Sequence, residues 1–199
     1  MEKQLIISLG REYGSGGHDI AEDLAKRFGL PLYDSNLLEE IARNNSVDHD
    51  ELKKYDERPR MPFFTRKVRG HSNSLEETIA YMQFEYMKKM AERGDSFVIV
   101  GRCAEVKLKE FPCLVSIFVL ADAEAKIERI MKKYDLTREA AKAQIRKENY
   151  NRKAYHNFHC PVKWGDSRNY ELSINSSKLG YEATTDMIEA YVRKRYENM

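Results

Sequence analysis

The chain of 199 residues has 34 Lys+Arg against 32 Asp+Glu and a formal net charge of +2, so its composition offers no strong positive field for nucleic acid or a membrane surface. Its 42% hydrophobic and 33% charged residues are typical of one soluble α/β domain, and no apolar run approaches the roughly 20 residues of a membrane span. Three widely spaced cysteines without a C-x-x-C pair, and an N-terminus without a secretory pattern, predict reduced thiols in a cytoplasmic protein.

The first part of the chain predicts a strand, a glycine-rich turn and a helix. Residues 5–9 are a short apolar run, and apolar residues recur at helical spacing from Ile20 to Ala25. Between them the chain concentrates small residues, namely Gly10, Gly14, Ser15, Gly16 and Gly17. Such a turn cradles phosphate, because its backbone N–H groups point inward and the helix N-terminus adds a partial positive charge. A tight turn that binds nothing is the alternative.

This turn departs from the usual phosphate-loop pattern G-x-x-x-x-G-K-[ST]. When Gly16 is set on the second glycine of the pattern, Arg11 falls on the first and Gly17 on the lysine. His18 then takes the hydroxyl position that would hold Mg²⁺, and an imidazole cannot serve as a hard oxygen ligand. The sequence therefore predicts the loop architecture without its lysine, with Arg11 as a candidate substitute.

Two polar residues come directly after predicted strands. Asp34 follows a short strand at 32–33, and Arg102 follows a buried strand at 96–100. In a parallel α/β sheet these positions face the ligand crevice, and an arginine there is well placed to bind a phosphate through two parallel hydrogen bonds. The alternatives are a turn or capping carboxylate at Asp34 and a structural salt bridge at Arg102. Ser35 would cap the next helix.

The stretch 45–73 has little periodicity, and we expect a flap, a subunit contact or an acceptor-side insertion there. Its Asp-His-Asp cluster at 48–50 resembles a metal-ligand group, but a solvated helix start is favoured. The pair His159–Cys160 also has no further ligand nearby in the sequence, so no metal site is predicted.

The rest of the chain alternates between strand and helix patterns. Strands are predicted at 96–100, 113–120 and 170–175, with helices beginning near Ser74, at Asp122 and Thr137 as N-caps, and after Gly180. The helix after Thr137 is strongly basic, with Lys142, Arg146, Lys147, Arg152 and Lys153. About five strands separated by helices predict a parallel sheet with right-handed crossovers in a single domain over 1–199.

Four features in this order resemble cytidylate kinases, and in particular the cytidylate kinase-like family. They are the glycine loop at 11–17, the strand end Val-Ile-Val-Gly-Arg at 98–102, the segment at 116–129 and the basic helix. Gly-Arg-Cys-Ala at 101–104, and Lys-Trp-Gly-Asp at 163–166 with Asn-Ser-Ser-Lys-Leu-Gly at 175–180, add to the likeness, which covers nearly the full length.

The resemblance implies a three-layer, P-loop kinase-like fold of the nucleoside monophosphate kinase type, with a helical lid at about 137–168. The ATP phosphates, with Mg²⁺, would be held by Arg11, Gly14, Ser15, Gly16, Gly17 and His18. Asp34 and Arg102 would face the acceptor. Arg146, Arg152 and Lys153 would act from the lid, together with Arg102, on the transferring phosphoryl group.

The implied function is ATP-dependent phosphoryl transfer to a small phosphate-bearing acceptor, and a nucleoside monophosphate is the favoured acceptor. The helix after the second strand reads Leu-Leu-Glu-Glu at 37–40, where a cytidylate kinase usually has an arginine, so the acceptor base stays open. The alternatives are a catalytically inactive nucleotide-binding regulator and a kinase with a non-nucleotide acceptor. The sequence is also compatible with a homodimer, and it does not determine the oligomeric state.

Overall fold

The computed structural model describes residues 3–34, 36–38, 41 and 75–199, together with the backbone of 67–68 and 71–72. Its strands are β1 (Ile6–Arg11), β2 (Leu32–Tyr33), β3 (Lys67–Val68), β4 (His71–Ser72), β5 (Phe97–Val100), β6 (Leu114–Leu120) and β7 (Leu172–Asn175). Its helices are α1 (Gly17–Phe28), α2 (Leu75–Glu92), α3 (Ala104–Lys107), α4 (Ala123–Tyr134), α5 (Arg138–His159) and α6 (Ser176–Glu197). Ser35 and the cluster at 48–50 lie outside the described residues.

Five strands form one parallel sheet in the order β2-β5-β1-β6-β7, as the sequence predicted. β1 lies at the centre, where Ile6 pairs with Phe97 of β5 and with Leu114 of β6. β3 and β4 form a separate antiparallel pair within the stretch expected to be a flap, and the sequence pattern did not predict these two strands. The predicted α/β architecture is confirmed.

Alternating side chains of the strands fill two apolar layers, one on each face of the sheet. Phe97 and Ile99 pack on the face covered by α2, whereas Val98 and Val100 pack on the face covered by α1 and α6. All six residues of β1 are buried. This period of two puts helices on both faces, which leaves the carboxyl edge of the sheet as the open side for a ligand.

The turn after β5 has an unusual backbone. Gly101, Arg102 and Cys103 follow one another with φ values of 74°, 55° and 56°. Left-handed backbone is uncommon for residues with a Cβ, and consecutive examples tend to occur at functional sites. Here the turn folds the Arg102 side chain inward, where it is fully buried.

The two predicted N-caps differ in outcome. Thr137 caps α5 by accepting a hydrogen bond from the backbone N–H of Ala140. Asp122 precedes α4, but its carboxylate does not cap that helix. It accepts hydrogen bonds from the Asn175 side-chain amide at 2.8 Å and from Lys178 Nζ at 2.6 Å, so these distant cationic and amide donors outcompete the local backbone. No helix in the described part of the chain is long and apolar enough to cross a bilayer.

Candidate active site

Three polar side chains meet at the carboxyl edge of the sheet. Arg11 ends β1, Asp34 follows β2 and Arg102 follows β5, and these strands are neighbours in the order β2-β5-β1. Asp34 Oδ1 lies 3.5 Å from Arg102 Nη1 and 3.9 Å from Arg11 Nη2. The structure therefore brings Arg102 into the salt bridge that the sequence left as one alternative, at the carboxyl edge of the sheet.

Asp34 also binds His18, at the start of α1. His18 Nδ1 lies 2.8 Å from Asp34 Oδ2, and this hydrogen bond raises the pKa of His18 despite partial burial. Burial alone would raise the pKa of Asp34, but the hydrogen bond with His18 and the charges of Arg11 and Arg102 outweigh it and hold the pKa well below its usual range. Asp34 thus faces two guanidinium groups and His18, whose other ring nitrogen lies 3.2 Å from Glu22 Oε1.

The glycine loop is a tight turn built on two glycines and a buried serine. Gly14 and Gly16 have φ values of 82° and 79°, which residues with a Cβ rarely adopt. The buried Ser15 hydroxyl donates to the Glu12 carbonyl at 2.8 Å and accepts from the Gly17 N–H at 3.3 Å. Ser15 therefore stabilises the shape of the loop at the N-terminus of α1.

The lysine position of the loop is closed by Arg11. A Cβ added to Gly17 would lie 2.6 Å from Arg11 Cβ and 3.2 Å from Arg11 Cγ. Separations this short are not tolerated between rigid atoms, so residue 17 has to be glycine while the Arg11 side chain lies over it. The closest contact is with Arg11 Cβ, so any residue with a Cβ at position 11 excludes a loop lysine, and Arg11 brings its own cation to the same edge of the sheet.

Arg129, on α4, hydrogen-bonds to the glycine loop, and no motif in the sequence singled this residue out. Its Nη1 donates to the carbonyls of Gly14 at 3.2 Å and Ser15 at 3.1 Å, and to the Ser176 hydroxyl at 3.1 Å. Its guanidinium also lies 4.6 Å from the centre of the Tyr181 ring. Arg129 therefore ties the loop carbonyls to α4 and to the start of α6. Arg129 lies within the segment 116–129 that carried the resemblance, which was the available signal.

A cleft of about 830 Å³ runs along this loop. It has room for a nucleoside triphosphate, and cationic side chains outnumber carboxylates on its walls. The cationic groups are Arg11, His18, Arg129, Lys132, Lys133 and Arg152, and the carboxylates are Glu12, Asp19 and Asp34. The lining therefore fits a polyphosphate.

The residues fit Mg²⁺ less well than they fit ATP. His18 replaces the usual hydroxyl ligand, and its two ring nitrogens already face carboxylates, Nδ1 at 2.8 Å from Asp34 Oδ2 and Nε2 at 3.2 Å from Glu22 Oε1. Asp34 is engaged by cations, and the Glu12 carboxylate binds Lys126 Nζ at 2.7 Å. The donor set of the usual P-loop magnesium position is not reproduced.

Helix α5 covers the loop with one face. Asn149 Oδ1 accepts from the Tyr13 N–H at 2.7 Å, and Arg152 Nη1 donates to the Arg11 carbonyl at 3.2 Å. Of the three cations expected to act from this helix, Arg152 lines the cleft, whereas Arg146 and Lys153 are exposed and do not line it. All three lie three or four residues from Asn149 along α5, so the packing of the helix against the loop, and not the helical period, decides which of them lines the cleft.

A second group of chemically active side chains lies beside Arg102. Cys103, in the turn after β5, is brought together with His156 and Cys160, at the end of α5. The Glu105 carboxylate lies 2.6 Å from His156 Nε2. His159, the residue paired with Cys160 in the sequence analysis, packs instead against the rings of Phe84, Tyr155 and Phe158.

Comparison with known proteins places this geometry in a family. The model of the cytidylate kinase-like family matches residues 6–178. A cytidylate kinase from Pyrococcus abyssi is 24% identical over 197 residues, which cover 98% of this chain and 97% of that protein. The crystal structure of an uncharacterised protein from Eubacterium ventriosum shares 37% identity and a TM-score of 0.76, covering 96% of this chain and 99% of the other.

More distant structures share the fold alone. Shikimate kinase from Bacteroides thetaiotaomicron superposes with a TM-score of 0.56 at 12% identity, covering 95% of this chain and 98% of that one. The central parallel sheet with its flanking helices is thus common to this chain and that shikimate kinase.

Proposed function

The chain belongs to the cytidylate kinase-like family, and from this premise we propose that it transfers a phosphoryl group from ATP to a small phosphate-bearing acceptor, with a nucleoside monophosphate as the first candidate. The name cytidylate kinase describes the activity of the curated relatives and does not by itself identify the acceptor of this chain. Residues 37–40, after β2, read Leu-Leu-Glu-Glu, where the family resemblance implies an arginine, so the acceptor has to be identified by assay.

The proposal rests chiefly on one observation, namely that Arg11 supplies a cation where the loop lysine is absent. Phosphoryl transfer depends on positioning and on neutralising negative charge, with little covalent work for the protein. The Arg11 side chain lies over Gly17 and reaches Asp34, next to Arg102. A cation therefore remains between the loop and the acceptor side, although the motif lysine is absent.

Each group in the site has a distinct role in this proposal. The N–H groups of the glycine loop hold the donor phosphates, and Arg129 keeps the loop carbonyls turned away from them. Asp34 orients Arg11 and Arg102 toward the acceptor phosphate. Arg152 acts from α5, and Arg146 and Lys153 remain lid candidates in the stretch 137–168.

Mg²⁺ would enter with ATP. Such an ion is bound chiefly by the phosphates and by water, and it supplies neutralising charge to the donor. We therefore assign it no dedicated protein ligand. Closure of the α5 lid would exclude water from the reacting groups.

The test is ADP formation from Mg-ATP with a panel of nucleoside monophosphates that includes cytidine and deoxycytidine forms. Arg152→Ala should lower turnover by about 10²-fold, the usual cost of one lost contact to developing charge. Lys147→Ala, an exposed cation on the same helix, is the matched control and should change turnover by less than about threefold. Loss of activity to the same extent in both variants would remove Arg152 from the site.

A catalytically inactive nucleotide-binding protein is the second candidate, because Gly17 and His18 replace both side chains of the usual motif. It predicts ATP binding at the loop without ADP formation for any acceptor in the panel. Turnover with one acceptor excludes it.

A further inference from the structure

The structure joins three metal-ligand side chains that are distant in the sequence. Cys103, His156 and Cys160 each offer one ligand atom, and these atoms all lie within 4.8 Å of one another. All three residues are buried. Cys103 comes from the turn after β5, whereas the other two come from the last turn of α5 and the residue that follows it.

The donor types match one class of metal. Two thiolates and one imidazole are typical ligands of zinc, at about 2.3 Å for sulfur and 2.0–2.1 Å for nitrogen. A tetrahedral site with those bond lengths separates its ligand atoms by roughly 3.5–3.8 Å. The three atoms would therefore need to close in by only about 1 Å, a small adjustment for side chains.

The His156 ring is held by a buried carboxylate. Glu105 is buried, and its Oε1 accepts from His156 Nε2 at 2.6 Å. A carboxylate on one ring nitrogen fixes the imidazole, as in many zinc proteins, and Nδ1 would then be the nitrogen that binds the metal. The contact of Nδ1 with Asn157 Oδ1 is long, at 3.4 Å, and is easily exchanged.

We propose that Cys103, His156 and Cys160 bind a divalent transition-metal ion of the zinc class, with Glu105 orienting His156. Each thiol loses its proton to solvent as it binds, and no redox step is involved. Three protein ligands leave a fourth coordination position open. Cys103 and His156 line a small cavity together with Arg102 and Arg152, so that position would take water or an anion drawn in by the two arginines.

The ion would join two parts of the candidate active site. Cys103 adjoins Arg102, and His156 lies one helical turn from Arg152 on α5. Binding would therefore fix the separation of the two arginines and hold the base of the α5 lid against the sheet. This goes beyond the proposed phosphoryl transfer, since metal binding can be measured without any turnover.

The first experiment measures metal on the full-length protein. After removal of bound metal and reduction of the thiols, we expect one equivalent of Zn²⁺ or Co²⁺ per chain, and a thiolate-to-cobalt charge-transfer band in the Co²⁺ form. X-ray absorption of the Zn²⁺ form should give two sulfur neighbours and at least one nitrogen. These measurements on the wild type need no variant to fold.

Variants then identify the ligands. Cys103→Ser and Cys160→Ser should each lose the charge-transfer band, and Glu105→Gln should weaken zinc binding 10- to 100-fold. Cys113→Ser is the matched control, because Cys113 donates its thiol hydrogen to Gln4 at 3.1 Å, away from the cluster, and it should bind zinc as the wild type does.

Three results would overturn the proposal. One is a wild-type protein that takes up neither metal at micromolar concentration, and another is equal loss of binding in Cys113→Ser. The third is quantitative recovery of a Cys103–Cys160 disulfide from protein purified without reductant, which would make the cluster a thiol pair. Stoichiometric metal with no kinase activity would support the metal site and count only against the proposed function.

Discussion

Replacing Asp34 by Asn should destabilise the protein, because this carboxylate compensates several buried or half-buried cations. Arg102, 3.5 Å away, has a side chain with 0% exposure, and Asp34 itself is 23% exposed. Removing one partner of a buried ion pair costs about 3–5 kcal/mol, and the partial exposure of Asp34 puts it at the low end, about 3 kcal/mol. For a chain of this size that corresponds to a fall in Tm of roughly 6–12 °C.

The destabilisation should also depend on pH in a defined direction. The folded-state pKa of Asp34 is depressed, so its contribution is present above the unfolded pKa of about 3.9 and is lost as pH falls toward the folded value. His18 has a raised pKa through its hydrogen bond with Asp34, so its contribution is complete below about 6.5 and is lost as pH rises through the folded value. The difference in Tm between wild type and Asp34→Asn should therefore be largest between about pH 4 and 6.5.

Thermal unfolding followed by circular dichroism from pH 3 to 9 measures this directly. Glu124→Gln is the matched control, since Glu124 pairs with Arg138 at an exposed site where such pairs contribute less than about 1 kcal/mol. A Tm for Asp34→Asn within 2 °C of the control, or a difference that is the same at pH 5 and pH 9, would refute the reasoning.

Two further predictions concern the glycine loop. Gly17→Lys should destabilise the protein by about 1–3 kcal/mol without improving ATP affinity, because its Cβ meets Arg11, whereas the double variant Arg11→Gly/Gly17→Lys should recover stability in chemical denaturation. Wild-type stability in the single variant would contradict the close contact. Arg129→Met should weaken ATP binding about tenfold, as expected for lost charged hydrogen bonds to the loop carbonyls, when measured by calorimetry. Arg138→Met, an exposed cation outside the cleft, should bind ATP normally, and equal affinities in the two variants would show that Arg129 does not shape the loop.

The sequence determined the features that depend on neighbours along the chain. The apolar runs and the glycine cluster predicted β1, its loop and α1, and Thr137 was identified as a cap from its local pattern alone. Arg11, Asp34 and Arg102 could also be selected as site candidates, because each ends or follows a predicted strand and parallel strands share their carboxyl edge. Such inferences need only periodicity and strand order.

The tertiary structure decided which of several available partners each polar side chain takes. Asp122 binds Asn175 and Lys178 instead of capping its helix. Arg152 faces the cleft, whereas Lys153, next to it in the sequence, is exposed. Cys160 meets Cys103 across the fold, although the sequence suggested a pair with His159. Hydrogen bonds and ion pairs act over a few ångströms in space, so a pattern in the chain can give the chemical type of a residue while only the packing of helices on the sheet selects its partner.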